Sequence, residues 1–288
     1  MIKALFLIED TSYQFDSRVR REIITLQAMG IEAIVICPAN AFDESAVYEE
    51  NGVKVYRYYV ENRGKGIKAH LREYALSLFH QTFLTAKVFR KHGFSVIHLG
   101  NHSDLFWLVV LPYKLMGKIF IYDQHDPVPE LFDIRFGHRV PGLDHLVRLF
   151  EKVSYMFADH VITINETCQK LALTRGGKSP NQVTVVRNGP NLRDFPEVIP
   201  DPRVRALGRT IVGYLGNMNL QDNLEVFIEM ARILHLEKKR TDIGFVMVGS
   251  GTDWLRLKSL RDKLRLTDVI YMPGRLAWED VLSTMAAT

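Results

Sequence analysis

Short apolar runs and longer amphipathic segments alternate along the chain. Runs rich in β-branched and aromatic residues predict seven strands before residue 190, at 4–8, 33–37, 53–58, 96–99, 119–123, 161–164 and 183–187. Asp16 or Ser17 is placed to cap a helix between the first two strands, and Gly30 marks the end of that helix. This alternation of strands and helices predicts βαβ units around a parallel sheet.

A proline-rich stretch interrupts the pattern between residues 190 and 208 and predicts a passage from one domain to another. After it, strands are predicted at 210–214, 243–248 and 269–272. We therefore expect a first domain over 1–195, a linker over 196–208 and part of a second domain over 209–288. Three strands make about half of a doubly wound domain, so we expect the sequence to stop inside that domain, truncated at its C-terminus.

Composition and charge narrow the function classes. With 47% apolar residues, 24% charged residues and a formal charge of +4, the 288 residues suit a globular protein and do not favour a dedicated nucleic-acid binder. Cys37 and Cys168 are too few for a disulfide framework or a zinc site, and Cys37 reads as a buried thiol. No run approaches the ~20 apolar residues of a membrane span, and the start lacks the basic region of a signal peptide. The sequence predicts a cytoplasmic protein.

Candidate chemistry lies just after the predicted strand 119–123, where His125 and Asp126 are followed by Glu130. In an open parallel sheet, ligands bind at the C-terminal ends of the strands. An imidazole and carboxylates at such an end could bind a substrate or carry a proton. The alternatives are a hydrogen-bonded structural histidine and carboxylates that cap the next helical turn.

Four motifs, in this order and spacing, resemble the group 1 or family 4 glycosyltransferases. They are Asp16-Ser17-Arg18-Val19 with Glu22, the segment 158–166 with Asn165 where serine is usual, Val186-Arg187-Asn188-Gly189, and Gly213-Tyr214-Leu215-Gly216. The resemblance covers nearly the whole chain. It implies an α/β protein of the GT-B fold, with two Rossmann-like doubly wound domains facing a cleft, the second of them incomplete here. His125-Asp126 with Glu130 is most similar to bacterial members that build surface polysaccharides.

The resemblance implies a retaining glycosyltransferase that moves a sugar from a nucleotide diphosphate sugar to an acceptor hydroxyl, in polysaccharide or glycolipid assembly. The first domain would hold a glycan or lipid-linked acceptor and the second the donor. Its implied site residues are His125 and Asp126 for catalysis, Arg18 and Glu130 for the acceptor, and Asn188, Gly216, Asn217, Gly249, Gly251 and Arg275 for the donor.

No metal and no other cofactor are expected, because the sequence contains no Asp-x-Asp pair to clamp a metal on the diphosphate. Glycine-bearing loops after strands, at 216–217 and 249–251, would supply backbone N–H groups instead. Two departures from the family stand out. The loop 217–223 lacks the basic residue that usually neutralises the phosphates, and the family's pair of donor-binding glutamates would fall beyond Thr288.

Segment 57–92 is strongly basic, with eight Lys or Arg residues against two Glu residues. Ile67, Leu71, Tyr74 and Leu78 recur in it at helical spacing, and Phe79, Phe83 and Phe89 broaden the apolar side. One interpretation is a solvated helix packed on its own sheet. The other is a helix that docks on an anionic membrane, which would place the enzyme peripherally on the inner face of the plasma membrane. A non-catalytic acceptor- or membrane-binding remnant of such an enzyme stays open as a second function, and a GT-B sugar-nucleotide epimerase as a third.

Overall fold

The computed structural model describes residues 2–39, 45–60, 67–100, 104–136, 142–189 and 196–288. The chain divides into two compact units, residues 1–189 and residues 190–288. Each unit combines a largely or wholly parallel sheet with helices, so the α/β class predicted from the alternating pattern is confirmed.

The first unit is built on an eight-stranded sheet. Its strands are β1 (Lys3–Leu7), β2 (Glu32–Pro38), β3 (Val47–Glu50), β4 (Val53–Tyr58), β5 (Val96–Gly100), β6 (Ile119–Gln124), β7 (His160–Thr163) and β8 (Val183–Val185). Their order across the sheet is β3-β4-β2-β1-β5-β6-β7-β8, and all neighbouring pairs are parallel except β3 with β4. All seven predicted strands are present.

Helices cover both faces of this sheet: α1 (Ser17–Ala28), α2 (Ile67–His92), α3 (Trp107–Leu115), α4 (Val128–Phe136), α5 (Leu143–Phe157) and α6 (Glu166–Thr174). The alternation along β1 supplies both cores. Phe6 packs with Ile23 of α1 and with Cys37, which is fully buried as predicted. Leu5 faces the other way, into the core that contains Val88 of α2 and Tyr155 of α5. Burial on both faces explains why these strands read as continuous apolar runs.

The cap of α1 places one side chain of the site. Asp16 accepts hydrogen bonds from the backbone N–H groups of Arg18 (3.1 Å) and Val19 (2.9 Å), so Asp16 and not Ser17 is the cap. Gly30 follows the helix with φ +77°, a conformation that glycine adopts without strain. Arg18 therefore lies in the first turn of α1, which directly follows the loop after β1.

The strand order reverses between β1 and β5, because the chain runs outward from β1 to β2 and later returns to β5 on the other side. At such a switch point the loops that leave the two strands diverge and leave a crevice at the C-terminal ends of the strands. The ends of β1, β5 and β6 define the place in this unit where a ligand site is expected.

The second unit has a three-stranded parallel sheet in the order β11-β10-β9, from β9 (Thr210–Leu215), β10 (Ile243–Val248) and β11 (Ile270–Gly274). These are the three predicted strands. Its helices are α7 (Pro202–Arg205), α8 (Glu225–Arg232), α9 (Trp254–Lys263) and α10 (Trp278–Ala287).

Part of the expected linker 196–208 is helical in the second unit. Val204 of α7 is fully buried against Val246 and Val281, and the Asp201 N–H donates to the Ser283 carbonyl at 3.0 Å. These contacts attach residues 201–205 to the second unit. The functional division into an acceptor domain, a linker and a donor domain remains a prediction. Within the described part of the chain, no helix is both long enough and apolar enough to cross a lipid bilayer.

Candidate active site

A buried ion pair forms the centre of the candidate site in the first unit. Arg18 donates from Nε to Asp123 Oδ2 (2.8 Å) and from Nη2 to Asp123 Oδ1 (2.7 Å), which is a two-point pairing of the planar groups. Asp123 lies at the end of β6 and is 0% exposed, and Arg18 is 6% exposed. A carboxylate this deeply buried requires such a partner, since an unpaired buried charge is strongly unfavourable.

Arg18 also joins the two ends of the first unit's sequence. Its Nη1 donates to the Val186 carbonyl (2.8 Å) and to Asn188 Oδ1 (2.9 Å), both just after β8. Asn188, predicted to bind the donor, thus lies beside Arg18 and Asp123. The resemblance implies that Arg18 binds the acceptor and that Asn188 binds the donor, and in the structure these two side chains are in direct contact. Neither role is tested by this geometry, and both remain predictions.

His125 is held by the same carboxylate. Its Nε2 is 2.7 Å from Asp123 Oδ2. Burial disfavours the charged imidazolium, but the hydrogen bond and the negative charge of Asp123 outweigh it and raise the pKa of His125 above its usual value. In Asp123, burial would raise the pKa, but hydrogen bonds from His125, His98 and Arg18 hold it well below the usual range. A charged His125 can donate a hydrogen bond to a substrate oxygen.

His98 and Glu22 complete the buried cluster. His98 Nε2 lies 3.3 Å from Asp123 Oδ2 and 3.3 Å from Glu22 Oε2, and its ring stacks on Phe6 at 4.6 Å between centroids. Burial raises the pKa of Glu22, partly offset by His98. Glu22, His98 and Asp123 have the ligand types and spacing of a metal site. Arg18 already binds both oxygens of Asp123, so a cation would have to displace a guanidinium, and the expected absence of a metal stays a prediction.

A small pocket opens beside this cluster at the switch point. Its lining includes Ile8 and Glu9 just after β1, Gly100 at the end of β5, and His125 after β6. A Cβ added at Gly100 would lie 3.4 Å from His125 Cε1, so glycine leaves the imidazole in close contact with the end of the strand. The pocket therefore brings together strand ends that are distant in sequence, as the switch-point rule requires.

Glu9 is the least expected member of this pocket. Burial, and after it the negative charges of Asp10 and Glu73, raise its pKa to about 8. Its Oε2 is buried and has no hydrogen-bond partner among the described residues. At neutral pH this side chain is therefore mostly an uncharged carboxylic acid, which can both donate and accept a hydrogen bond.

We expect Glu9→Gln to stabilise the protein at alkaline pH. The folded pKa of Glu9, about 8, exceeds its ordinary value of 4.5, so stability is lost as pH rises from about 4.5 to about 8. At about 1.4 kcal/mol per pKa unit, Glu9→Gln can raise the free energy of unfolding by about 5 kcal/mol at most. Residual hydration of the side chain reduces the gain expected at pH 9 to about 2 kcal/mol. Urea unfolding at pH 5 and pH 9 measures it, with exposed Glu49→Gln as control. An equal effect of Glu9→Gln at both pH values would contradict the assignment.

Glu130 belongs to a second cluster of charged side chains, around Arg175. Arg175 binds Glu130 at two points, from Nη1 to Oε1 (2.8 Å) and from Nη2 to Oε2 (3.1 Å), and it also contacts fully buried Glu151 at 2.6 Å. Burial raises the pKa of Glu151 to about 7 despite Arg175. Asp126 is half-buried, and its charge adds to the effect of burial in raising the pKa of Cys168. The catalytic role of Asp126 and the acceptor role of Glu130 stay predictions.

In the second unit, the predicted glycines shape the strand ends. A Cβ at Gly249 would lie 1.8 Å from the Gly216 carbonyl oxygen, and one at Gly251 would lie 2.2 Å from the Met218 carbonyl oxygen. The Gly216 N–H donates to Val248 (3.1 Å) and the Gly249 N–H donates to Gly274 (2.9 Å). These two N–H groups are therefore used inside the unit. Gly216 and Gly249 allow close packing of the loops in this structure, and their donor-binding roles remain predictions.

The remaining donor candidates are at the surface. Asn217 is exposed and its carbonyl accepts from the Tyr214 hydroxyl at 2.5 Å, and Arg275 is exposed directly after β11. Arg232 lies at the end of α8 and forms ion pairs with Glu229 and Glu237. Arg275 is the predicted donor residue that carries a positive charge in this unit. The donor roles of Asn217, Gly251 and Arg275 remain predictions.

Asp123 and Glu9 belong to the site but are not among the residues predicted from the sequence, although the pattern contains a signal for each. Side chains two apart on a strand share a face, so Asp123 is expected next to His125. Glu9 directly follows the apolar strand 4–8 at the same edge of the sheet. His98 had a weaker signal, a single polar residue inside an apolar strand. In each case the signal is a polar residue at a position where the apolar pattern predicts a buried side chain.

Comparison with known proteins identifies the family. The profile of Glycosyltransferase Family 4 matches residues 17–194, more than half of the chain. One component of human phosphatidylinositol N-acetylglucosaminyltransferase is 23% identical over 259 residues, which are 89% of this chain and 49% of the human protein. The chain thus spans about half the length of that curated relative.

Solved structures share the fold at low identity. Sucrose-phosphate synthase from Thermosynechococcus elongatus has a TM-score of 0.77 at 16% identity, covering 100% of this chain and 74% of its own. HepE from Anabaena, in complex with UDP and glucose, has a TM-score of 0.63 at 16% identity, covering 100% and 72%. An E. coli trehalose-6-phosphate protein bound with UDP-2-fluoro glucose has a TM-score of 0.66 at 8% identity, covering 98% and 76%. By its sequence match over residues 17–194, the chain belongs to Glycosyltransferase Family 4, and the solved structures that it resembles share its GT-B fold.

Proposed function

We propose that the chain is a retaining glycosyltransferase, which transfers a sugar from a nucleotide diphosphate sugar to an acceptor hydroxyl in the assembly of a surface polysaccharide or glycolipid. The observation that carries the proposal is the buried Arg18–Asp123–His125 arrangement at the switch-point edge of the Family 4 domain. Glycosyltransferase membership supports the reaction class. The UDP and glucose bound to HepE, and the UDP-2-fluoro glucose bound to the E. coli neighbour, support the donor class.

The proposed mechanism assigns His125 to substrate binding through its charged form. Asp123 orients the imidazole through Nε2 and stabilises the imidazolium, and Arg18 keeps Asp123 ionised. His125, in the pocket at the switch point, then donates a hydrogen bond to a sugar hydroxyl and fixes the sugar relative to the acceptor. In the overall reaction the glycosidic oxygen–carbon bond to the diphosphate breaks, the acceptor oxygen bonds to the same carbon, and the hydroxyl proton leaves with the diphosphate.

The test is donor consumption by the protein at its natural length. The intact mass of the protein isolated from its source, compared with 33.1 kDa for these residues, establishes that length. The protein is then incubated with UDP-, GDP- and ADP-sugars, and release of nucleoside diphosphate is measured with and without candidate glycan acceptors. We expect one donor to be consumed and the product to keep the donor's anomeric configuration by NMR. No consumption of any donor would favour the non-catalytic alternative, and an isomerised nucleotide sugar would indicate an epimerase.

The exposed face of α2 supports a membrane-linked acceptor. Leu78 and Phe89 pack against the core, whereas Phe79 and Phe83 are 65% and 69% exposed, so the two pairs lie on different faces of the helix. The rings of Phe79 and Phe83 stack at 6.4 Å between centroids. Exposed Arg72, Lys87 and Arg90 lie on the same helix. Exposed aromatic rings among cations are typical of helices that lie on anionic bilayers.

We expect Phe79→Ser/Phe83→Ser to weaken binding to vesicles that contain 30% phosphatidylserine or phosphatidylglycerol by about tenfold or more, because both rings would leave the bilayer interface. Co-sedimentation with the vesicles measures the binding. Ile24→Ser, which replaces an apolar side chain on α1 that is 64% exposed, is the matched control and should bind like the wild type. Equal binding of the double variant and the wild type, or no vesicle binding by either, would rule out this docking face.

A further inference from the structure

Glu9 is a strongly perturbed side chain of the first unit that no role assigned above uses. It directly follows β1 at the point where the strand order reverses, and it lines the same pocket as His125. The backbone around it is fixed, because the preceding carbonyl, that of Ile8, accepts a hydrogen bond from buried Gln81 of α2 at 2.8 Å. The Glu9 side chain is therefore placed by rigid elements and not by a loose loop.

The environment of Glu9 is unfavourable for stability. Its Oε2 is buried with no hydrogen-bond partner in the described part of the chain, and the charges that act on it are those of Asp10 and Glu73, both acidic. A buried oxygen without a partner costs about 1–3 kcal/mol, a cost that leucine at this position would not carry. Side chains kept at such a cost are characteristic of binding sites, where the missing partner is supplied by the ligand.

The pocket also has a definite electrostatic character. Its polar lining consists of Glu9, Asp10, Asp16 and His125. Asp16 caps α1, and His125 pairs with Asp123, which also pairs with Arg18. Among the lining residues, the carboxylates of Asp10 and Asp16 outnumber the imidazolium of His125, and protonated Glu9 adds no charge, so a phosphate or carboxylate is disfavoured in the pocket. Carboxyl oxygens are well suited to the hydroxyl groups of an uncharged sugar, which donate and accept hydrogen bonds.

We propose that Glu9 is an acceptor-binding and specificity-determining residue, which pairs with hydroxyl groups of an uncharged sugar ring in a pocket whose other acidic residues, Asp10 and Asp16, disfavour phosphorylated or carboxylated rings. The inference rests on the proposed function, since it names the acceptor class of the same transferase. Because Glu9 carries its proton at neutral pH, it donates one hydrogen bond and accepts another, and His125 contacts the same sugar from the end of β6. Glutamine can make the same two kinds of hydrogen bond, whereas alanine cannot.

The experiment measures sugar binding without the transfer reaction. The histidine ring signals of the full-length protein, with His125 assigned by its absence in His125→Gln, are followed by NMR during titration with methyl glucoside, methyl galactoside, methyl mannoside and methyl N-acetylglucosaminide. The 6-phosphates of the same sugars are titrated in parallel. We expect at least one neutral glycoside to shift the His125 signals saturably, and its 6-phosphate to bind at least about tenfold more weakly.

Substitutions at Glu9 then separate its role from a general structural effect. Glu9→Ala should weaken glycoside binding by about tenfold, as expected for loss of hydrogen bonds to a buried polar partner. Glu9→Gln should bind within about twofold of the wild type, and Glu49→Ala, an exposed residue of β3, should have no effect. Equal affinity of Glu9→Ala and wild type, no response to any neutral glycoside, or tighter binding of the 6-phosphates would overturn the inference.

Donor consumption in the same preparations distinguishes the two proposals. If the wild type releases nucleoside diphosphate normally and Glu9→Ala binds glycosides like the wild type, the role of Glu9 is overturned and the proposed transferase function stands. Failure to consume any donor, together with glycoside binding that depends on Glu9, would overturn the transferase and leave a sugar-binding pocket. Thermal unfolding of each variant at pH 7 confirms that the differences are measured on folded protein.

Discussion

Replacement of Asp123 with asparagine is expected to lower the free energy of unfolding by about 3–5 kcal/mol and to reduce sugar transfer by about 100-fold or more. The first effect follows because the neutral amide would leave the buried guanidinium of Arg18 without its counter-ion, and removal of one partner of a buried pair costs about this much. The second follows because His125 would lose the carboxylate that keeps it charged and oriented. Urea unfolding and initial rates measure the two effects.

The same substitution should change the titration of His125. Asp123 is what raises the pKa of His125, while burial and the charge of Arg18 act in the opposite direction. Without the carboxylate, the pKa of His125 should fall below its usual 6.5, so that the ring is neutral at pH 7.5. The ring-proton shifts between pH 5 and pH 9 report this directly. An unchanged His125 titration in Asp123→Asn would mean that Asp123 does not control its charge.

A matched control and a double substitution isolate the buried pair. Asp133→Asn removes the partner of Arg148 at 3.0 Å, where the side chains are 28% and 41% exposed, and it should cost less than about 1 kcal/mol. Arg18→Met combined with Asp123→Leu removes both charges, and it should be less destabilised than the sum of the single variants. Losses that add up would show that Arg18 and Asp123 are not energetically coupled.

The strands were predictable because their sequence pattern and their burial agree. Strands such as β2 and β6 are buried on both faces, so apolar runs mark them, and β3 was missed because it is a short edge strand with alternating exposure. A local signal for β3 existed in Asn51-Gly52, which have φ +50° and +76° and form its hairpin turn with β4. Edge strands of this kind are identified by their turns and not by hydrophobicity.

The site was less predictable, because its side chains come from positions distant in the sequence. The pairing of Arg18 with Asp123 joins residues 105 positions apart, and the contact of Arg18 with Asn188 spans 170. Periodicity within one element cannot indicate which strand ends meet, since that depends on the sheet order. It also cannot tell the packed face of α2 from its exposed aromatic face, because Phe79 and Phe89 are equally apolar and only the tertiary packing separates them.

Replacement of His125 by alanine or glutamine is expected to reduce transfer by about 100–1000-fold while leaving the protein folded. The imidazolium is the positively charged group that lines the pocket, and removal of one such donor typically has an effect of this size on rate. Stability should change by only about 1 kcal/mol, because Asp123 keeps its two hydrogen bonds to Arg18. Kinetics with the identified donor and urea unfolding measure both quantities on the same samples.

His160→Gln is the matched control for His125→Gln. His160 is the first residue of β7 in the same sheet, and its Nε2 is 2.8 Å from Thr184 Oγ1. It does not line the pocket, so His160→Gln should leave transfer unchanged.

The pH dependence of transfer tests the role of His125 independently. Since Asp123 raises the pKa of His125, wild-type transfer should persist through pH 6.5 and decline only at higher pH, as the ring loses its proton. Glu9 also loses its proton near pH 8, so the two profiles are compared in the Glu9→Gln background. Full turnover by His125→Ala, or an alkaline decline in Glu9→Gln that survives in Glu9→Gln/His125→Gln, would exclude the imidazolium from the mechanism.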